Sequence, residues 1–324
     1  MNHLIFGGAG FIGTHLKKFI KKLGNDTNNI YSYDIRAKVN DDFISVDVRE
    51  KLNITLPNIS NSVIYNLAAI HITPGHPDHE YFEANIKGAE NVCNFARSNQ
   101  INTIVFTSSI APYGPSEALK SEDTLPMPTT PYGISKLTAE YIHKLWQSED
   151  PHNRKLIIVR PGVIFGQYEG GNFTRLYNSM YKGLFFYPGR KDTIKACVYV
   201  KDVVRILHDT AQNEKPGAVT FNLTYQPAPT IETICEVMAA VTHVSPPKIL
   251  VPGWALTTAA GSAYTGARLI GRKLHSIHPD RVKKLMVSTN ICGDKLNNSP
   301  YKLRFTLNEA LEDWYIECDK KTLI

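Results

Sequence analysis

The chain has 324 residues, 43% hydrophobic and 20% charged, a balance that excludes disordered and fibrous classes and suits one large globular unit or two lobes. Its formal net charge is +6 with the basic residues scattered, which argues against nucleic acid as a partner and suits an anionic small molecule. Five widely spaced cysteines (Cys93, Cys197, Cys235, Cys292, Cys318) fit no metal pattern and read as reduced thiols of a cytoplasmic protein.

A strand-like run begins at His3, so no secretory leader is expected. His3 to Phe6 leads into Gly7-Gly-Ala-Gly10-Phe11-Ile12-Gly13 and then a helical pattern from Thr14 to Leu23. Strand, G-x-x-G-x-x-G and helix form a dinucleotide fingerprint. The glycines permit a tight turn, backbone approach to a pyrophosphate, and close packing of helix on strand. The pyrophosphate would lie at the helix N-terminus, where free N–H groups and the dipole favour an anion. The second strand, Ile30 to Tyr33, ends at Asp34, whose carboxylate is placed to accept hydrogen bonds from ribose hydroxyls. Aspartate there favours NAD over NADP, while Arg36 keeps NADP as the alternative.

Further strands are expected at Asp42–Val46, Ser62–Leu67, Asn102–Thr107 and Leu156–Val159, with helices at 79–98 and from Tyr132 onward. The alternation predicts an α/β fold, a Rossmann-type doubly wound parallel sheet whose carboxyl edge binds ligands. The loop holding His71, His76, Asp78 and His79 lacks a helical ligand spacing, so no metal is expected. His71 reads as a wall of the substrate pocket or as a solvated loop residue.

Tyr132-Gly-Ile-Ser-Lys136 puts a phenol and an ammonium one helical turn apart on one face. A free phenol titrates near 10, and an adjacent cation favours its ionised form. The pair therefore reads as a proton-transfer device in which Lys136 draws the Tyr132 phenol down toward neutrality.

With these stretches stand Asp47-Val48, Asn66-Leu-Ala-Ala69, Asn85, Ser108-Ser109, Tyr113-Gly114 and Arg160-Pro161. Together they resemble the extended short-chain dehydrogenase/reductases, the branch of NAD-dependent sugar-nucleotide epimerases and dehydratases, over nearly the whole chain. The resemblance implies that Ser109, Tyr132 and Lys136 are catalytic, with Ser109 holding the substrate oxygen and Lys136 also binding the nicotinamide ribose. It assigns Asp47 and Val48 to the adenine, Leu67, Ala68 and Ala69 to the cofactor backbone, and Pro161 to the nicotinamide border. It suggests His71, Ser109, Asn172, Arg175 and Tyr199 as substrate contacts. Ile110 and Ala111 stand where the family's 4,6-dehydratases carry an Asp-Glu pair, which disfavours elimination of water.

The implied organisation is a cofactor domain at 1–165, rejoined by 194–224, with a smaller interleaved C-terminal substrate lobe at 166–193 and 225–324. The implied reaction is UDP-hexose 4-epimerisation by transient oxidation at C4. The alternatives are a 4-ketoreductase of a nucleotide-linked 4-keto-6-deoxysugar, a 3β-hydroxysteroid-type dehydrogenase, and a non-catalytic dinucleotide sensor. A homodimer through the helices at 79–98 and 131–148 is implied as well. Asp202 reads as a helix N-cap, and Thr306 with Glu309 as a capping box. The small-residue stretch Pro252–Arg272, followed by Lys273, His275 and Arg281, reads as a helical lid, a membrane-touching helix being the alternative. Its glycines, serine, threonines and Arg268 argue against a membrane span.

Overall fold

A computed structural model describes residues 1–24, 29–36, 43–72, 75–256, 258 and 286–324. Seven strands form one parallel sheet: β1 (Asn2–Phe6), β2 (Ile30–Asp34), β3 (Ile44–Ser45), β4 (Ser62–Asn66), β5 (Thr103–Thr107), β7 (Lys155–Pro161) and β11 (Gly217–Leu223). Their spatial order is β11-β7-β5-β4-β1-β2-β3.

Alternation along the strands supplies two cores. Ile5, Val63, Tyr65, Val105, Ile157 and Val159 face one side, while Leu4, Phe6, Ile64, Ile104, Phe106 and Ile158 face the other. Both sets are fully or almost fully buried because helices cover both faces, as a parallel sheet requires. The first face is covered by α1 (Phe11–Lys22), through Leu16 and Ile20, and by α6 (Val200–Asn213), through Ile206 and Leu207. The second is covered by α3 (Gly88–Ser98), through Val92 and Ala96, and by α4 (Pro131–Ser148), through Ala139 and Trp146.

The helix expected over 79–98 is not continuous. α2 (Asp78–Phe82) passes through a π turn, Glu83–Lys87, before α3 begins. Single-turn π insertions of this kind are frequent at functional sites. The third strand is shorter than expected, and part of its predicted span, with residue 257 and residues 259–272 of the predicted lid, lies outside the described residues.

The remaining chain builds three small parallel pairs: β8 (Val163–Phe165) with β10 (Cys197–Tyr199), β9 (Tyr187–Pro188) with β12 (Leu250–Val251), and β6 (Ser116–Lys120) with β13 (Thr289–Ile291). The helices beside them are α5 (Asn172–Tyr181), α7 (Ile231–Thr242), α8 (Asp294–Asn297) and α9 (Leu307–Glu317). Thr306 caps α9, and Glu309 completes the expected capping box. Asp202 does not cap α6, whose N-cap is Tyr199; its buried carboxylate instead accepts from the backbone N–H of Arg304 and Phe305 and from Arg205. Among the described residues no helix is long and apolar enough to cross a membrane.

The strand order reverses between β1 and β4, so the carboxyl ends of these two strands open the crevice in which such sheets bind ligands.

Candidate active site

Gly7 follows β1 with φ +81°, a left-handed conformation that disfavours any side chain. A Cβ there would lie 2.8 Å from the Ala68 nitrogen, and one on Gly13 would lie 2.4 Å from the Gly7 carbonyl oxygen. The turn, α1 and the β4 end are thus in backbone contact, and the channel between them stays open only without Cβ atoms. Asp34 is nearly buried. Its carboxylate accepts from the Ala9 N–H at 3.1 Å and from the Arg36 N–H at 2.9 Å. This arrangement fits a dinucleotide, with the pyrophosphate at the start of α1 beside Phe11 and Ile12 and a ribose at Asp34. Arg36 Nε also reaches Asp34 at 3.3 Å, and its guanidinium lies 3.6 Å from a Cβ built on Gly10. Replacing Gly13 with Ala would force the turn apart; a loss of NAD affinity of at least tenfold is expected by fluorescence titration.

Asp47 is held below the usual carboxylate range by Arg49, whose Nη2 donates at 2.6 Å. Val48 is fixed by its carbonyl, which accepts from Asn91 at 2.9 Å. Both lie on the rim beyond β3 assigned to the adenine. Pro161 closes β7, and its carbonyl oxygen accepts from the Ile110 N–H at 3.2 Å.

Thr130 caps α4 by accepting from the Gly133 N–H at 3.1 Å, and Pro131 occupies the first turn. A Cβ on Gly133 would lie 2.7 Å from the Ala111 oxygen, so the helix start sits directly on the 3-10 turn Ala111–Tyr113. That contact brings Tyr132 near Ser109, whose side chain opposes the upward shift that burial gives the phenol. The Ser109 hydroxyl also accepts from the Ala111 N–H at 3.1 Å, which orients it. Lys136 is buried one turn along, its Nζ 4.5 Å from the Phe106 ring centroid.

The electrostatics correct one expectation. Burial pushes the Tyr132 phenol up, the Ser109 contact opposing it, and no pull from Lys136 is seen. Burial also draws the Lys136 ammonium down to about 7, with Glu140 opposing. Desolvation disfavours both charged forms, so the protein's own groups hold the pair near neutrality.

Sequence reasoning named Asn85, Tyr113 and Arg160 only as carriers of the family resemblance and missed Glu140, which lies beneath this pair. Glu140 is fully buried and accepts from Ser108 Oγ at 2.6 Å and from Arg160 Nε and Nη2 at 2.8 and 2.5 Å. Arg160 Nη1 donates to the Tyr113 hydroxyl at 2.6 Å, which donates to Asn222 Oδ1 at 2.9 Å. The available signal was that Glu140 stands one turn past Lys136 on the same helix face. From the π turn, Asn85 donates to Ser135 at 2.8 Å and accepts from the Ile70 N–H at 3.0 Å; Ser135 in turn donates to the Tyr132 carbonyl at 2.9 Å. His143 stacks on Phe106, and burial draws its pKa down to about 4, so it stands neutral.

His71 is brought to the same region: burial and the nearby Lys136 charge lower its pKa. Asn172 and Arg175 are exposed on the first turn of α5 and bonded to each other at 2.9 Å. Tyr199 is not a substrate contact. It is fully buried among Phe165 and Phe305, and its hydroxyl donates to Asp313 at 2.6 Å. The loose motif match placed it in the site, but all three residues of β10 face the core. Among the described residues no group of three His, Cys, Asp or Glu could hold a metal.

A sequence profile of the NAD dependent epimerase/dehydratase family matches residues 3–223. The chain belongs to that family. It is accordingly an NAD-dependent enzyme of the extended short-chain dehydrogenase/reductase type. Among curated relatives of the family, the N-acetyl-alpha-D-glucosaminyl-diphospho-ditrans,octacis-undecaprenol 4-epimerase of Escherichia coli O157:H7 is 26% identical, over 96% of this chain and 93% of its own. A UDP-glucose 4-epimerase of Vibrio cholerae is 28% identical, but over 56% of this chain and 57% of its own length. Among solved structures, MoeE5 with UDP-glucuronic acid and NAD superposes with TM-score 0.72 at 21% identity, covering 98% of this chain and 100% of its own. UDP-N-acetylglucosamine 4-epimerase from Bacillus cereus gives 0.72 at 18%, covering 98% and 99%. At these identities the structural likeness establishes the fold.

Proposed function

We propose that this protein is an NAD-dependent 4-epimerase of a diphosphate-linked hexose. The observation carrying the reading is the juxtaposition of Ser109 and Tyr132, with Lys136 one turn away, at the sheet edge that also holds the glycine cradle. When bound, NAD supplies a reversible hydride acceptor. Ser109 holds the sugar 4-oxygen, and Tyr132 takes its proton as C4 is oxidised, then returns it when C4 is reduced on the other face. Lys136 supplies the positive charge that stabilises the phenolate during that interval. Asn85 and Ser135 fix the backbone under Tyr132. Ile110 and Ala111 offer neither acid nor base for elimination, which supports epimerisation over dehydration.

A nucleotide-linked hexose is the first substrate class, supported by the UDP-glucose 4-epimerase relatives. A polyprenyl-diphosphate-linked N-acetylhexosamine is the second. It is favoured by the relative that aligns over 96% of this chain rather than about half of it. Purified protein should carry bound NAD and interconvert the C4 epimers of one of these classes without added NADH. A strict requirement for stoichiometric NADH would make it a ketoreductase instead.

The homodimer reading is supported by Ile134, Tyr141 and Leu145, apolar residues exposed along one face of α4. Replacing Tyr141 and Leu145 together with Glu should convert a dimer to a monomer in sedimentation velocity.

A further inference from the structure

Lys136 acts in this site as a charge, yet its ammonium is buried, and burial draws it down to about 7. An ammonium stripped of water keeps its proton only where other groups favour the charged form. Glu140, one turn further along α4, favours it, but both carboxylate oxygens already accept from Arg160 and one also accepts from Ser108. The other titratable groups that face Lys136 are Tyr132, one turn before it, His143, on the same helix, and His71, in the loop after β4. Both histidines are lowered by burial and further by the Lys136 charge, so neither helps to hold it.

What meets Lys136 from the sheet is aromatic. Phe106, almost fully buried on β5, stands three residues before Ser109. Lys136 Nζ lies 4.5 Å from its ring centroid. The His143 imidazole stacks on the same ring, with centroids 4.2 Å apart and planes within 16°. Lys136 and His143 are two turns apart on one face of α4, so the helix meets Phe106 with both side chains. The imidazole tautomer is fixed by its partners. Nδ1 lies 2.7 Å from the Ala139 carbonyl oxygen, which can only accept, so Nδ1 carries the proton. Nε2 is then the acceptor for Asn66 Nδ2 at 3.2 Å. Asn66 closes β4, directly before the cofactor wall Leu67–Ala69. A second proton, on Nε2, would oppose the Asn66 N–H, and burial holds the ring's pKa at about 4. His143 therefore stays uncharged near neutral pH, and the charge brought to the Phe106 ring is that of Lys136.

We propose that Phe106 is a positioning residue of the reaction: its ring face holds the Lys136 ammonium charged and in place beside Tyr132, braced by a neutral His143. A cation on an aromatic face gains most where water is excluded, as it is here. The inference rests on the reading in which the Lys136 charge stabilises the Tyr132 phenolate. It ties that charge to the end of β4 through Asn66 and His143, and to the Ser109 strand through Phe106 itself.

Fluorination of Phe106 tests this, because fluorine weakens the negative face of the ring with little change in its volume. Mono-, di- and trifluorophenylalanine are placed at position 106 alone. In the NAD-loaded protein the Lys136 titration is followed through the Cε signals of carbon-13-labelled lysine, assigned by its absence in Lys136→Met. The Lys136 pKa should fall stepwise along the series, by about one unit in all, and at least as far in Phe106→Leu. The cationic form is lost as pH rises through that value, so the alkaline limb of the turnover profile should move to lower pH in the same order. A ring that only fills the core would leave the titration and the pH profile of the fluorinated proteins at their wild-type positions, and that result overturns the proposal. Lys136→Met keeps the two failures apart. Turnover retained in that variant removes the role given to Lys136 itself; turnover lost there, with no movement along the fluorinated series, removes only the role of Phe106.

Discussion

Tyr132→Phe should lower turnover by about two to four orders of magnitude, the range expected when a positioned acid–base group is removed. Epimer interconversion, followed by mass or chromatographic detection, is the measurement. NAD content should change little, because the cradle is built from Gly7, Gly13 and Asp34 and not from the phenol. The phenyl ring retains the shape of the side chain, so the helix start on the Ala111–Tyr113 turn is preserved. What is lost is the phenolic hydroxyl beside Ser109. A variant within tenfold of wild type would move the proton transfer to another group and end the mechanism above.

Glu140→Ala should be the most destabilising single change near the site. Glu140 and Arg160 are both almost inaccessible, and the carboxylate takes three hydrogen bonds from Ser108 and Arg160. Removing one partner of a buried pair leaves the other charge desolvated without compensation, at a cost of roughly 3–5 kcal/mol. The urea midpoint should fall accordingly. Replacing both residues with apolar ones of similar volume, Glu140→Leu with Arg160→Met, should recover much of that loss, because the desolvation cost disappears with the charges. A single variant as stable as wild type would mean that water reaches the pair. Since Ser108 adjoins Ser109 and Arg160 adjoins Pro161, the single change should also lower turnover.

The parts of this site that could be read in the sequence are those that the backbone or a helical spacing demands. Gly7 and Gly13 are required because a Cβ on either would come within 3 Å of neighbouring main chain, and no other residue type would serve. Tyr132 and Lys136 share a face because of helical geometry alone. Ser109 needed its position at the end of β5 to be recognised. The rest depends on tertiary placement. Glu140 meets Arg160 only because α4 crosses β7, and nothing local marks either as half of a pair. The π turn under Asn85 is a change of hydrogen-bond register with no side-chain signature. Tyr199 was misread because a motif outweighed burial, although Cys197-Val-Tyr199 is apolar enough to be an interior strand. The lowered phenol was misread for a different reason: a nearby cation was counted and the desolvation of both groups was not.

The pairing of β6 with β13 joins the loop after Ser109 to a segment about 170 residues later, through the Ser288 N–H and the Glu117 carboxylate at 3.0 Å. Asn222 Nδ2, whose side chain also holds Tyr113, donates to the carbonyl of Cys292 in the same region. A ribosome must therefore deliver the chain past Cys292 before the walls around Ser109 and Tyr113 can be tied down. Nascent chains should acquire the cofactor fold first and competence for turnover only once the segment around Cys292 has emerged.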